Sequence, residues 1–385
     1  MSQVAQRFAP FGKTIFAEIT RLAIEHDAIN LGQGFPNFDG PGFVKDAAVE
    51  AMRDGKNQYA RMSGVPPLSE AIATTFGASI DRAIDPDAEV TVTSGCTEAL
   101  AATFLGLIDP GDEVVVFEPY YDSYPACLAM AGAVPRFVTL RPPHFRVDEQ
   151  ALRAAFGPKT RAVLINTPHN PTGAVFSRPE MECIASLCRA HDALAITDEV
   201  YEHLVFEGEH IRMAEIEGMW DRTISLSSLG KTFSLTGWKI GWAVAPPALT
   251  AGVRAAHQFL TFATATPLQH GAAAALHAPA EYYASFVDAY RRRRDLLVDG
   301  LASVGFDVFT PRGTYFVLAD HTPFGFPDDV TFCRHLVEDI GVAAIPPSAF
   351  YHDPADGRRL VRFAFCKDDE LMHAAVDRLA KLKAP

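Results

Sequence analysis

The chain has 385 residues, a length that suits two domains better than one simple core. Its formal net charge of −13 repels phosphate backbones and anionic bilayers, which sets aside general nucleic-acid binding and membrane-surface attachment but leaves room for a local basic site on a small anion. No window approaches the ~20 apolar residues needed to span a bilayer, the opening MSQVAQRFAPFGKTIF has no apolar run of signal-peptide length, and six scattered cysteines without a CxxC pair read as reduced thiols of a cytoplasmic protein.

The first 35 residues are expected to form an arm that packs with the C-terminal part of the chain. From about residue 90 to 245, short runs of Val, Ile and Leu alternate with helical stretches. Strands are predicted at 90–94, 113–117, 161–166, 194–198, 223–227 and 241–244, with helices between them, for example at 97–107 and 179–191. Strands this apolar on both faces belong to a mainly parallel sheet covered on both sides, and the β–α alternation predicts a doubly wound α/β domain. A proline in HAPAEYY marks a boundary near 275–280. Beyond it one long helix at 281–301, strands near 314–318 and 360–365, and helices at 329–340 and 369–381 predict a smaller α+β module. The expected units are 1–35, 36–278 and 279–385. The run Arg291–Arg294 on the long helix reads as a solvated face.

In doubly wound sheets ligands lie beyond the carboxyl ends of the strands, and most polar motifs here fall just after predicted strands. Ser94, Gly95, Cys96 and Thr97 form a small-residue turn between strand and helix, suited to an anion or to a plain capped helix. Asn170 follows the next strand in NTPHNPTG, which is also strong turn chemistry. Asp198 ends the strand of AITDEVY, where a helix N-cap is the alternative role. Lys231 follows another strand in SSLGKTFS. That motif lacks the glycine spacing of a phosphate loop, so a Schiff base with an aldehyde cofactor is the functional alternative to a turn lysine. Pyridoxal phosphate requires this company: a carboxylate beside the ring nitrogen (Asp198), polar groups at the ring oxygen (Asn170, Tyr201), and an anion site, to which Ser228 and Lys239 would add. His169 reads as a wall residue. Arg362, alone in the apolar strand VRFAF, is either an internal salt bridge or a bidentate clamp on a substrate carboxylate.

Taken in order, SLSSLGKTFSLTGWKIGW, NTPHNPTG, TDEVY and VRFAF resemble the fold-type I pyridoxal-phosphate aminotransferases, and NLGQGFP resembles that family's N-terminal substrate loop. The resemblance spans about 30–369 and is nearest the branch with kynurenine, glutamine–phenylpyruvate and methionine aminotransferases. It implies a seven-stranded sheet domain with a smaller α+β domain, a homodimer with shared active sites, and a ping-pong exchange between amino acids and 2-oxo acids. It also implies roles: Lys231 for the Schiff base and proton shuttle, Asp198 for the ring nitrogen, Asn170 and Tyr201 for the ring oxygen, and Tyr120 stacking on the ring. Ser94, Gly95, Cys96, Thr97, Ser228 and Lys239 fall in its phosphate region, and Tyr59 at the phosphate of the neighbouring subunit. Gly34 and Arg362 match its carboxylate-binding pair. Phe16, Phe35, Tyr59 and Tyr120 suggest an aromatic-lined pocket, although Phe16 stands near where kynurenine enzymes often carry tryptophan. Two other readings compete: a carbon–sulfur β-lyase on the same scaffold, and a non-catalytic sensor module, for which the ~30 residues before the loop are too few to add a DNA-binding domain.

Overall fold

Strand formation follows the β-branched runs read above. The computed structural model describes residues 4–12 and 14–382, so residues 1–3 and 13 of the expected arm lie outside the described residues. Its strands in chain order are β1 (Ile29–Asn30), β2 (Val90–Thr93), β3 (Glu113–Glu118), β4 (Val134–Thr139), β5 (Thr160–Asn166) and β6 (Leu194–Asp198). They continue with β7 (Thr223–Ser228), β8 (Gly241–Val244), β9 (Asp307–Phe309), β10 (Phe316–Asp320), β11 (Val342–Ala343) and β12 (Leu360–Ala364). Seven of them form one sheet in the order β2-β8-β7-β6-β5-β3-β4. Every neighbouring pair is parallel except the two made by β8.

The period-two geometry of a strand sends alternate residues to opposite faces. Val114, Val116, Leu164 and Ile196 accordingly pack against the helices Gly95–Leu107, Ser123–Ala131 and Pro247–Leu260. Val115, Phe117, Val163 and Ile165 pack on the other face, against Arg178–His191. That last helix starts where the sequence predicts because Ser177 and Glu180 form a capping box ahead of a proline in its first turn. Each of these buried aliphatic side chains contributes about 1.5–3 kcal/mol of transfer free energy, which explains why runs without polar alternation become central strands.

β4 was not anticipated. It lies at the sheet edge, carries Pro135 and Arg136 and alternates exposed with half-buried positions, so its pattern is too polar to stand out. The C-terminal residues form the antiparallel sheet β12-β10-β9 with the helices Ala280–Ser303 and Asp369–Leu379. The expected helix at 329–340 is an α-helix only to His335 and then widens into one π-turn at Leu336–Ile340. The arginine run on the long helix is only partly solvated. Arg294 is buried and pairs with Glu207 and Asp295, and Arg293 reaches Asp369. The helix Ile15–Glu25 and β1 join this C-terminal core: β1 pairs with β11, and Ile19, Leu22 and Leu31 pack in the same cluster as Phe316, Val361 and Phe363. Among the described residues no helix is long and apolar enough to cross a membrane.

Candidate active site

Asn166, Asp198 and Ser228 are the last residues of β5, β6 and β7, and all three line one cavity of about 270 Å³. Small-molecule sites begin at about 300 Å³. Strand polarity therefore delivers the chemistry: parallel neighbours end at one edge, and their terminal polar residues converge there.

Lys231 sits on a single helical turn, Leu229–Thr232, directly after β7. Its amine lies 5.7 Å from the ring centroids of both Tyr201 and Tyr315 and has no hydrogen-bond or ion-pair partner among the described residues. Burial lowers its pKa, against the opposing pull of Cys366 and Asp198. Asp198 is held from three sides. The Tyr124 hydroxyl donates to Oδ2 at 2.8 Å, the Val200 N–H donates to Oδ1 at 3.3 Å, and the Cys96 thiol donates to Oδ1 at 3.6 Å. Burial raises its pKa and these donors pull it back. Asn166 ties two strand ends together: its Nδ2 donates to the Asp198 carbonyl at 2.9 Å, and its Oδ1 accepts from the Asn170 N–H at 2.7 Å.

A second corner is built by glycines. Gly95 opens the helix Gly95–Leu107 with φ +77°, and a Cβ there would lie 3.1 Å from Lys239 Nζ. A Cβ on Gly241 of β8 would come within 2.5 Å of the Cys96 nitrogen. The absence of side chains lets the turn press against β8, with Gly95, Cys96 and Thr97 facing the cavity beside Ser228 and Lys239. First-turn N–H groups and an adjacent ammonium are the donor set that suits a small anion.

The outer wall comes from the two ends of the chain: Phe16, Gln33, Gly34, Phe35, Phe316 and Arg362. Arg362 is almost completely buried among the rings of Phe316, Phe350 and Phe16, 4.4, 5.1 and 5.2 Å away. It donates to the Gly32 carbonyl at 2.8 Å and reaches Asn170 Oδ1 at 3.5 Å, but its Nε is buried without a partner. Burial pushes its pKa down to about 10. Among the described residues Arg362 makes no salt bridge, so the internal-pair expectation is not met. Gly34 is fixed by the Tyr315 hydroxyl, which donates to its carbonyl at 2.6 Å, and a Cβ there would strike Phe316 at 2.7 Å.

Of the residues singled out in the sequence, Phe16, Gly34, Gly95, Cys96, Thr97, Asn170, Asp198, Tyr201, Ser228, Lys231, Lys239 and Arg362 line this one cavity. Three do not. Tyr120 is corrected to Tyr121: Tyr120 turns away, packing on Phe137 with centroids 5.6 Å apart and donating its N–H to Phe350, whereas the Tyr121 ring lines the cavity. Ser94 stands behind the turn, its N–H donated to Glu98. Tyr59 is 88% exposed, edge-on to Phe262 at 5.8 Å. His169 is also set back from the cavity, bonded to Thr172 Oγ1 at 2.8 Å. The sequence reading missed Asn166 and Tyr124. Asn166 carried the same signal as Asp198, a polar residue closing an apolar strand; Tyr124 carried none.

Comparison with known proteins places this arrangement. The model of the class I and II aminotransferases matches residues 26–379. The chain is 47% identical to a probable N-succinyldiaminopimelate aminotransferase of Mycobacterium tuberculosis, over 98% of each chain. It is 41% identical to a methionine aminotransferase of Escherichia coli, over 96% of each. Superposed on the three-dimensional structure of N-succinyldiaminopimelate aminotransferase from Mycobacterium tuberculosis, it gives a TM-score of 0.96 at 48% identity, covering 98% of this chain and 100% of that one.

Proposed function

Since the chain belongs to the class I and II aminotransferases, we propose that the strand-end cavity holds its pyridoxal phosphate and carries out its amino transfer. The protein is a pyridoxal-phosphate-dependent aminotransferase, and its relatives favour neither the β-lyase nor the sensor reading. One observation carries the site assignment: an unpartnered buried amine, Lys231, shares a closed corner with a triply bonded carboxylate, Asp198. The residues present suit the cofactor. The glycine-lined turn sets first-turn N–H groups beside the Lys239 ammonium, a donor set that suits a phosphate, and the orphaned Nε of Arg362 suits a carboxylate.

When bound, the cofactor supplies an aldehyde that links reversibly to amines and a ring that withdraws electrons. Lys231, its pKa lowered by burial, would be the amine that holds the aldehyde and the base for the proton of the substrate's α-carbon. Asp198 holds the ring nitrogen, and Tyr124, Val200 and Cys96 keep that carboxylate aimed. Asn170 and Tyr201 hold the ring oxygen, and Tyr121 takes the stacking role. Gly95, Cys96, Thr97, Ser228 and Lys239 hold the phosphate, with Ser94 anchoring their turn. Arg362 and Gly34 would fix the substrate carboxylate and so orient the α-carbon, an orientation effect.

For the substrate side chain, the walls formed by Phe16, Phe35, Tyr121 and Phe316 support an apolar or aromatic donor such as methionine. A second reading, an N-succinylated diamino acid, is supported by the 47% identity to the mycobacterial relative. A panel of amino donors with several 2-oxo acids separates the two. Turnover confined to succinylated donors defeats the first, and turnover of methionine and phenylalanine alone defeats the second.

The active form is a homodimer. Tyr59, Phe259 and Phe262 form an exposed apolar face, 88%, 86% and 41% accessible, that suits a second copy, with Tyr59 reaching that copy's phosphate corner. Sedimentation as a monomer at micromolar concentration would count against it. The six free thiols support a reducing, cytoplasmic setting. Residues 36–278 form the cofactor domain, with 1–35 and 279–385 as the smaller unit; the shared core of Ile19, Leu22 and Phe363 supports this division.

A further inference from the structure

Behind the anion corner, outside the cavity, lies a buried polar bracket. Glu98, on the first turn of Gly95–Leu107, accepts the Ser94 N–H with Oε2. Its Oε1 lies 2.6 Å from His257 Nδ1 and accepts the Thr261 hydroxyl at 2.8 Å. His257 is fully buried, and its Nε2 lies 3.0 Å from the Met62 carbonyl. Both ring nitrogens therefore face acceptors, and the carboxylate accepts three bonds. Neither side chain lines the cavity. The bracket joins three distant segments: the turn at Ser94–Thr97, the loop that carries Tyr59 and Met62, and the helix end beside Phe262.

We propose that Glu98 and His257 are positioning residues that hold the anion corner in its phosphate-binding shape. The Ser94 N–H is the one orphan donor of this helix start that Glu98 removes from competition, and fixing it fixes the direction of the next three N–H groups. A buried carboxylate with three donors is held far more rigidly than a solvated one. Neither bracket side chain touches the ring side of the cavity; the bracket acts through the turn, whose N–H groups face the phosphate and which meets the ring side only at the Cys96 thiol, 3.6 Å from Asp198. This inference rests on the phosphate reading of Gly95–Thr97 given above.

The test compares pyridoxal phosphate with pyridoxal, which lacks the phosphate, by absorbance titration of the cofactor-free protein. The variants are Glu98→Gln, His257→Gln and Thr261→Val. Glutamine at 98 cannot accept all three bonds. We expect Glu98→Gln to weaken pyridoxal phosphate about 10- to 100-fold, the range for losing a hydrogen bond to a charged group, and to change pyridoxal binding less than twofold. Thr261→Val, which removes one donor, gives the same pattern at smaller size. An equal loss for both ligands, or no loss for either, overturns the proposal. If Glu98→Gln fails to fold, judged by circular dichroism, the other two variants decide on the same criterion. If the unaltered protein binds pyridoxal as tightly as pyridoxal phosphate, the phosphate reading itself is wrong, an outcome distinct from a bracket without effect.

Discussion

The floor and the outer wall of the cavity are built on opposite plans. On the floor the strand-end groups hold one another: Asp198 has three donors, and Asn166 bonds both a strand end and the Asn170 loop. On the wall Arg362 is ringed by phenylalanines and keeps an orphaned Nε. The floor is organised for groups that must not move during reaction. The wall keeps one polar atom without a partner, which fits the proposed role of Arg362 as a clamp on a substrate carboxylate. Orientation on one side and unspent binding capacity on the other are what catalysis by differential binding calls for.

The sharpest way to break this contrast is to remove the unpartnered amine of the floor. Lys231→Ala should cut turnover by at least about 1,000-fold, within the range for loss of a general base, and abolish the visible absorbance of the bound cofactor. Steady-state kinetics and a spectrum check both. On the wall, Arg362→Ala should raise KM for amino acids about 100-fold, the scale for deleting one partner of a buried charge pair. Cofactor affinity should stay within threefold, because the wall serves substrate rather than floor. Tyr124→Phe removes one of the three bonds to Asp198 and should lower kcat/KM about 10-fold, with KM little altered. The smallest effect concerns stability. The pKa of Lys231 is lowered below the 10.5 of a free lysine, so the unfolded chain binds the extra proton across that window. Its contribution therefore rises with pH up to 10.5. Cofactor-free Lys231→Met should be more stable than the unaltered protein in urea at pH 7, and the gap should narrow towards pH 10.5. A gap that widens as pH rises contradicts the sign.

The floor was far more legible in the sequence than the wall. Lys231, Asp198 and Asn170 each follow an apolar strand closely, so strand polarity alone brings them to one edge. The adjacent tyrosines defeated the same reasoning: in Glu118-Pro119-Tyr120-Tyr121 both are aromatic and one position apart. Only the packing of Tyr120 on Phe137 decides which ring enters the cavity. Phe35 and, within its motif, Gln33 were named from the sequence, but Phe316 was not. The wall is assembled by the two-residue pairing of β1 with β11, far too short to leave a periodic signal. The bracket of Glu98 and His257, 159 positions apart, has no local trace.

That pairing of β1 with β11 also bears on how the molecule comes into being. Chains emerge from the ribosome beginning at the N-terminus. The segment Ile15–Leu31 is among the first to appear, yet its strand partner, Val342–Ala343, is made near the end. Throughout most of translation Ile19, Leu22 and Leu31 have no native surface to rest on. Every nascent chain thus emerges with the strand ends of its cavity floor, Asn166, Asp198 and Ser228, before the wall residues Phe316 and Arg362 exist to close it.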